Sequence, residues 1–493
     1  MPMDTTQPPA QPVRAGTGWR LFNVAATRAL ERAALAATAP HALMQRAGQA
    51  TARLALALHP HARSYWIAAG PGNNGGDGME AAMHLHGCGK QVVVTWLGDA
   101  AQAPADAAVS YGRARAAGVP FAEQPPVAWD VCIDALLGIG AARAPDGVMA
   151  QWIALIAASA SPVLSIDVPT GLDADTGVAT ASHVVSGATL CLLTLKPGLF
   201  MADGRDCARS VWLDDLQMDA STLAPSTPAS ATLIAATPQQ QRPHASHKGS
   251  FGDVAVVGGA PGMAGAALLA ATAALHHGAG RVFLCALDEG QSGASGIALA
   301  PELMHRDVLS IDASRMTVVC GCGGGDRVHA VLPRLLSSAR QLVVDADALN
   351  AVANDPALQQ LLRTRSQRDA ATVLTPHPLE AARLLGLTTA EVQSDRLQSA
   401  HRLAHQLGCT VVLKGSGTVV AAPGLIPRIN PTGNARLATP GSGDVLAGMI
   451  GAAMAAGTAP FEAACDAVYR HGLAADQWPT GQSLTAYALA RRA

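Results

Sequence analysis

The stretch Thr432 to Met449 reads TGNARLATPGSGDVLAGM. It runs a glycine-rich turn straight into an apolar, small-residue run, Val445 to Ala456, which predicts a buried helix. Gly441 and Gly443 let the backbone take positive φ and come close to a ligand. A helix start preceded by flexible glycines offers backbone N–H groups and the positive end of a dipole, an anion site that suits phosphate. Asp444 stands at the mouth of it. A carboxylate there is either a helix cap or a base aimed at a hydroxyl, and the dipole should keep it ionised.

The residues before this stretch repeat one pattern. Asp253 to Val257 predicts a strand, Gly258 to Gly265 a glycine-rich turn, and Ala266 to His277 a small-residue helix. The unit recurs at Thr317 to Cys320 with GCGGG, at LVVDADALN (Leu342 to Asn350) and at VLTPHPLEAARLLG (Val373 to Gly386). A helix at Gln398 to Leu407 and a strand at Thr410 to Lys414 follow. Such alternation predicts an α/β sheet covered on both faces.

A second region of this kind lies nearer the N-terminus. Two helical patterns, Val24 to Ala37 and His41 to Leu58, precede a short strand, Tyr65 to Ala69. GPGNNGGDG, Gly70 to Gly78, then leads into a helix at Met79 to His86. Strand, glycine turn, helix is a nucleotide- or phosphate-binding arrangement; a lone GxG says little, but Asn73, Asn74 and Asp77 add side-chain groups to a backbone nest. Strands at Gln91 to Leu97, Val131 to Ala135 and Val163 to Asp167 alternate with helices at Asp106 to Ala117 and Val148 to Ala160. Asp134 and Asp167 close two of these strands, at the edge where open α/β sheets bind ligands. Asp167 is the candidate base. Asp134, Asn74 and Thr170 are candidate oxygen donors to a hard cation such as potassium or magnesium, not zinc.

At 493 residues the chain suits two domains. Hydrophobic content of 49% against 14% charged lets each bury a core. A net charge of −2, no basic block and 3% aromatics exclude nucleic acid and anionic membrane as partners. No apolar run is long enough to span a bilayer, and MPMDTTQPPAQPVRAG lacks the regions of a signal peptide. Nine scattered cysteines fit a reducing, cytoplasmic setting, and Cys320 and Cys322 read as buried apolar filler. A Ser, Thr, Ala, Pro and Gln-rich segment, Asp219 to Pro243, reads as a linker holding one short strand near Leu233. The expected division is an arm at 1–19, a domain at 20–218, the linker at 219–243 and a domain at 244–493.

Lys414 to Thr418, KGSGT, offers a cation, two hydroxyls and free backbone to a nucleotide phosphate; a surface lysine is the bland alternative. Asp345, Asp347 and Asn350 stand where they would orient Lys414, a metal-bound water or the substrate. His377, between two prolines, is either a ligand contact or a packed loop histidine. Together these describe phosphoryl chemistry, with Asp444 taking a proton from an acceptor hydroxyl.

GSGDVLAG with TGN before it, KGSGT and VVDADALN resemble the ribokinase-like fold. HKGSFG, GGAPGMAGAALLAATAAL, PELM (Pro301 to Met304) and TPHP are similar to the NAD(P)H-hydrate dehydratase family. LMQRAG (Leu43 to Gly48), GPGNNGGDG, DALLGIG and SIDVPTGLDADTG resemble the NAD(P)H-hydrate epimerase family. The resemblance covers nearly the whole chain apart from the arm and linker. It implies an N-terminal Rossmann-like α/β sandwich plus a C-terminal ribokinase-like α/β domain. It also implies a bifunctional metabolite-repair enzyme: NADHX and NADPHX, the hydrates of NADH and NADPH, are epimerised at C6 with the help of K+. The S epimer is then dehydrated by an ADP-dependent reaction, with Mg2+, that releases AMP and phosphate. A homo-oligomer is the implied assembly.

The resemblance also carries residue roles. Asn73, Asn74, Gly75, Gly76 and Asp77 line the epimerase site, with Gly138, Ile139, Gly140, Ala141, Ala142, Arg143, Ala144 and Asp167 contacting the hydrate. Asn74, Asp134 and Thr170 hold K+. In the dehydratase, Ala266, Gly323 and His377 contact the hydrate and Asp444 faces its hydroxyl. Lys414, Gly415, Ser416, Gly417, Thr418 and Gly443 hold the AMP moiety. Leu379 after TPHP, Arg436 near the Asp444 loop and Cys322 in Gly321-Cys-Gly323 depart from the usual pattern. Two rival readings share these folds: a small-molecule kinase using ATP, and a non-catalytic binding module in the N-terminal half.

Overall fold

The computed structural model describes residues 9–140, 143–218, 223, 227–238, 243–288, 300–368 and 370–492. It divides into two compact units. One comprises residues 1–14 and 19–232, the other 15–18 and 233–493.

The first unit is an eight-stranded sheet. Its strands are β1 (Gln11–Pro12), β2 (Ser64–Ala69), β3 (Gln91–Trp96), β4 (Phe121–Ala122), β5 (Val131–Ala135), β6 (Val163–Ile166), β7 (Ala188–Leu192) and β8 (Ser210–Asp214). They lie in the order β1-β8-β7-β6-β5-β2-β3-β4, and all pairs are parallel except β1 with β8. Every residue of β5 and β6 is buried, as expected of parallel strands covered on both faces. The chain runs outward from β2 to β4, then returns to the other side of β2 at β5. That reversal opens a crevice at the carboxyl ends of β2 and β5. Gly70 sits in it so tightly that a Cβ there would lie 1.7 Å from the Leu136 carbonyl oxygen.

Helices α1 (Val24–Ala36), α2 (Ala42–Leu58), α3 (Asn73–Gly87), α4 (Ala105–Ala116) and α5 (Gly147–Ala158) accompany this sheet. The expected glycine turn before Met79 is corrected here: α3 begins at Asn73, so NNGGDG is its opening turns. The glycines serve packing. A Cβ at Gly75 would fall 2.1 Å from the Gly70 carbonyl, and one at Gly76 2.7 Å from Met44 Sδ. A short strand, Ala231–Leu233, occurs where one was expected near Leu233.

The second unit repeats the same reversal. Its strands are β9 (Asp253–Gly258), β10 (Arg281–Ala286), β11 (Met304–His305), β12 (Thr317–Cys320), β13 (Gln341–Val344), β14 (Ala371–Leu374), β15 (Thr410–Leu413), β16 (Val419–Ala421) and β17 (Arg428–Ile429). They are ordered β11-β10-β9-β12-β13-β14-β15-β16-β17, parallel through β15 and antiparallel beyond it. The reversal lies between β9 and β12, where a Cβ at Gly258 would meet the Cys322 carbonyl at 2.2 Å. Helices α6 (Ala264–His276), α7 (Ala346–Asn354), α8 (Pro378–Leu385), α9 (Ser442–Ala455) and α10 (Pro460–Asp476) pack with it. α9 is buried from Val445 to Ala452, and α6 touches it so closely that Gly448 admits no Cβ beside the Ala270 carbonyl. Small residues in both helices permit that approach. Among the described residues no helix is long and apolar enough to cross a membrane.

Candidate active sites

In the first unit the crevice holds a cavity of about 540 Å³, lined by Asn73, Asn74, Asp77, Gly138, Ile139, Gly140 and Asp167 among others. Sequence reasoning named all seven. Gly75 and Gly76 are buried in the fold, and Arg143 and Ala144 are exposed outside the cavity. Ala141 and Ala142 lie outside the described residues.

Asp167 follows β6 with φ of 70°, a left-handed conformation that a non-glycine residue rarely adopts. Its Oδ1 is paired with Lys196 Nζ, which is fully buried and also donates to the carbonyls of Leu192 (3.1 Å) and Thr194 (2.9 Å). Burial alone would lower the lysine pKa, but the Asp167 charge overrides it and the ammonium is held above its ordinary value. Lys196 was not singled out from sequence. The available signal was a lone lysine at the end of the apolar run TLCLLTLKPG.

Two more acids face the same space. Burial, then the Asp167 charge, raises the carboxyls of Glu31 and, far more, Asp77. Both acids therefore hold a proton more tightly than an ordinary carboxyl does, facing the Asp167–Lys196 pair.

Asp134 lies wholly buried beneath this cavity. It accepts from Thr170 Oγ1 (2.6 Å), the Thr170 amide (2.9 Å) and Ser165 Oγ (2.8 Å). These partners are neutral, and burial raises its pKa. Asn74 Nδ2 is buried without a hydrogen-bond partner, and its Oδ1 lies 3.3 Å from where a Gly138 Cβ would be. Asp134 and Thr170 thus form a buried carboxylate–hydroxyl pair with no cationic partner, and Asn74 adds an amide oxygen beside Gly138. That donor set fits a hard monovalent or divalent cation.

The second unit has a cavity of about 400 Å³ bounded by Asp345, His377, Glu380, Lys414, Gly415, Thr439 and Gly441 to Asp444. Lys414 Nζ donates to Asp345 Oδ1 at 2.9 Å, and Thr375 Oγ1 donates to the same oxygen at 2.7 Å. Gly443 faces the ammonium; a Cβ there would lie 3.2 Å from Nζ. Gly415 has φ of 139° and is backed by the buried Arg396 guanidinium, which donates to the Leu413 and Lys414 carbonyls. That holds the KGSGT loop, whose Gly415 and Ser416 are exposed while Gly417 is buried.

His377 caps α8 through Nδ1, which accepts from the amides of Leu379 (3.1 Å) and Glu380 (3.3 Å). This fixes Nε2 as the protonated nitrogen, turned to Glu380 Oε1 at 3.3 Å. Burial and the Lys414 charge lower the His377 pKa, and burial pushes Glu380 up to about 7. Ala266 and Gly323 adjoin each other at the β9–β12 reversal, where a Gly323 Cβ would lie 2.9 Å from the Ala266 methyl. Leu379 and Arg436 are exposed.

At Asp444 one open alternative closes and one expectation is corrected. Helix α9 starts at Ser442 with Gly441 as its cap, so Asp444 lies within the first turn and is not the cap. It is not kept fully ionised either: burial, then the nearby Asp345 charge, raises it to about 7, beyond what Cys322 and Lys414 offset. Cys322 is likewise more than filler. Its Sγ and carboxylate oxygens of Asp345 and Asp444 all lie within 4.8 Å of one another. A thiol in that set does not suit magnesium, which takes oxygen ligands.

The chain matches the family described as NAD(P)H-hydrate dehydratase over residues 254–492 and that described as YjeF-related protein N-terminus over residues 40–198. The bifunctional NAD(P)H-hydrate repair enzyme Nnr of Escherichia coli (strain K12) is 35% identical over 452 residues, covering 88% of this chain and 84% of that one. The ADP-dependent (S)-NAD(P)H-hydrate dehydratase of Neisseria meningitidis serogroup B is 44% identical over 237 residues, 47% of this chain and 78% of that one. A crystal structure of the ADP/ATP-dependent NAD(P)H-hydrate dehydratase from Bacillus subtilis, co-crystallized with ATP/Mg2+, is 31% identical over 51% of this chain and 91% of that one, with a TM-score of 0.45. Both halves and their order agree, and the chain belongs to the family of bifunctional NAD(P)H-hydrate repair enzymes.

Proposed function

We propose that the N-terminal unit epimerises the R and S hydrates of NADH and NADPH at C6, and that the C-terminal unit uses ADP to convert the S hydrate to NAD(P)H, AMP and phosphate. The observation that carries the C-terminal reading is Asp444 in the first turn of α9, beside the Lys414–Asp345 pair and in the same cavity. Hydroxide leaves poorly. Asp444 takes the proton of the C6 hydroxyl, whose oxygen attacks the β-phosphorus of ADP, and AMP departs. The phosphorylated oxygen then leaves as phosphate, pushed by the ring nitrogen's electron pair, and loss of the C5 proton restores the double bond. Lys414 and the first-turn N–H groups of α9 face the anionic phosphates. Lys414 to Thr418 with Gly443 hold the AMP moiety, and Ala266, Gly323 and His377 bound the hydrate. Mg2+ enters with the nucleotide phosphates; the Cys322, Asp345 and Asp444 cluster is not its cage.

In the N-terminal unit Asp77, whose carboxyl burial raises, gives a proton to the departing C6 hydroxyl, and Asp167, the candidate base, takes one from the water that replaces it. Asn73, Asn74, Gly138, Ile139 and Gly140 border the hydrate. Asn74, Asp134 and Thr170 would hold K+, which would supply positive charge beside the buried Asp134 carboxylate. A homo-oligomer in the cytoplasm is part of the same proposal.

The test mixes purified protein with both hydrate epimers, Mg2+ and K+, adds ADP or ATP, and follows the absorbance of reduced nicotinamide. Full recovery with ADP is expected. Recovery stopping once the S epimer is consumed would remove the epimerase half. No recovery with either nucleotide would move the kinase reading to the front. Replacing K+ with Li+ should slow only epimerisation, and light scattering reads the assembly.

A further inference from the structure

Cys322 follows β12 in the loop at the strand-order reversal of the second unit. It is fully buried. Its neighbours leave its side chain little choice of direction. Gly321 has φ of 119° and Gly323 of 59°, and a Cβ at Gly321 would lie 1.9 Å from the Asp345 carbonyl oxygen. The loop is thus pressed onto the end of β13, and the thiol points at the two carboxylates.

Asp345 Oδ1 is occupied by Lys414 and Thr375. Its Oδ2 accepts from Cys322 Sγ at 3.8 Å. A carboxylate oxygen of Asp444 also lies within 4.8 Å of the same sulfur. Two carboxylates this close repel unless a hydrogen lies between them. Burial, then Asp345 and Asp444, drives the thiol pKa well above its usual value, so Cys322 keeps its hydrogen and acts as a donor.

We propose that Cys322 is a positioning residue of the dehydratase: its thiol, within reach of both Asp345 and Asp444, donates a hydrogen that offsets the repulsion of the two carboxylates and keeps Asp444 available as the base. The inference rests on the proposed role of Asp444.

The other groups that face Asp444 set the background. Asp345 and Asp347 oppose its ionisation, and Lys414 favours it. On α10, His471 is neutral near pH 7, its pKa pushed down to about 4 by burial, and its Nε2 donates to the Ser442 carbonyl at 3.0 Å. Along α6, residues 264–275 carry no charged side chain. Arg436 is exposed. Cys322 is therefore an uncharged donor whose loss leaves these charges unchanged.

The experiment measures kcat/KM for the S hydrate and ADP against pH, using full-length parent, Cys322→Ala, Cys322→Ser and Asp444→Asn, with epimerase activity as the folding control. Cys322→Ala should move the acid limb upward by about one pH unit, about a tenfold loss at the acidic end and little at the alkaline end. Cys322→Ser, which restores an O–H donor, should bring the limb back to the parent's position. An Ala limb that coincides with the parent's, or a Ser variant that behaves as Ala, overturns the inference. If Cys322→Ala does not fold, Cys322→Val carries the same comparison. Asp444→Asn separates the two levels: full activity in that variant removes the base itself, whereas an inactive Asn variant beside an unmoved Ala limb removes only the role of Cys322.

Discussion

Lys196 and Asp167 form a buried ion pair at the floor of the N-terminal cavity, with the ammonium closed off from solvent and the free carboxylate oxygen turned toward Gly138. The pair sets a buried ammonium against Asp167, whose own backbone is left-handed. Lys196→Met leaves that carboxylate uncompensated, which costs about 3–5 kcal/mol of stability when one partner of a buried pair is lost. Epimerisation should fall by about 10²-fold or more, while dehydration of pure S hydrate on the same chain stays at the parent rate. Following each epimer separately checks this; equal losses in both activities would reduce Lys196 to a fold-stabilising residue.

Gly138 separates Asn74 from Asp167. A Cβ there would lie 3.3 Å from Asn74 Oδ1 and 3.4 Å from Asp167 Oδ2, filling the space between them without displacing backbone. Gly138→Ala should therefore raise the KM for the hydrate by about tenfold and leave the thermal transition within about one degree of the parent's. A KM unchanged by the methyl would place the hydrate elsewhere.

Asp444 titrates at about 7 in the folded chain against an ordinary 3.8, with burial the main cause. The raised value means the folded state binds this proton more tightly than the unfolded state. Its contribution to stability is full below about pH 4 and is lost as pH rises through about 7. The base form appears over that same upper range, so dehydratase kcat/KM should show an acid limb near pH 7. Asp444→Asn should cost about 10²–10⁴-fold in rate. It should also raise the Tm of the ADP-responsive transition by a few degrees at pH 8 and leave it nearly unchanged at pH 4. An Asn variant less stable than the parent at pH 8 would contradict the buried-charge account.

Gly415 needs both its positive φ and its missing side chain, because a Cβ there would meet the Arg396 guanidinium at 2.8 Å. Gly415→Ala should shift the KGSGT loop and weaken ADP binding by about tenfold or more, as a misplaced phosphate cradle does. Calorimetric titration with ADP checks it. Epimerase turnover should not move.

Much of this arrangement is written in local pattern. Alternating apolar strands and small-residue helices announce two α/β units, and acids at strand ends such as Asp134 and Asp167 mark the edge where ligands bind. The glycine runs mark the same edge, but they serve packing. NNGGDG has the composition of a flexible turn and is a helix start, because Gly75 and Gly76 answer to Gly70 and Met44, residues that only the fold brings near them.

The sequence by itself determined the two repeating α/β patterns, the glycine-rich segments at strand ends and the positions of Asp444, Lys414 and Asp167 beside them, because period, turn chemistry and strand-end position are local properties of a chain. Only the tertiary structure decided which charges meet. Lys196 became the partner of Asp167 when β7 was laid beside β6, and Cys322 came to lie beside Asp345 and Asp444 when β12 crossed to the far side of β9. Protonation follows from those meetings: whether a carboxyl is base or acid depends on burial and neighbouring charge, and both are set by residues distant in the chain.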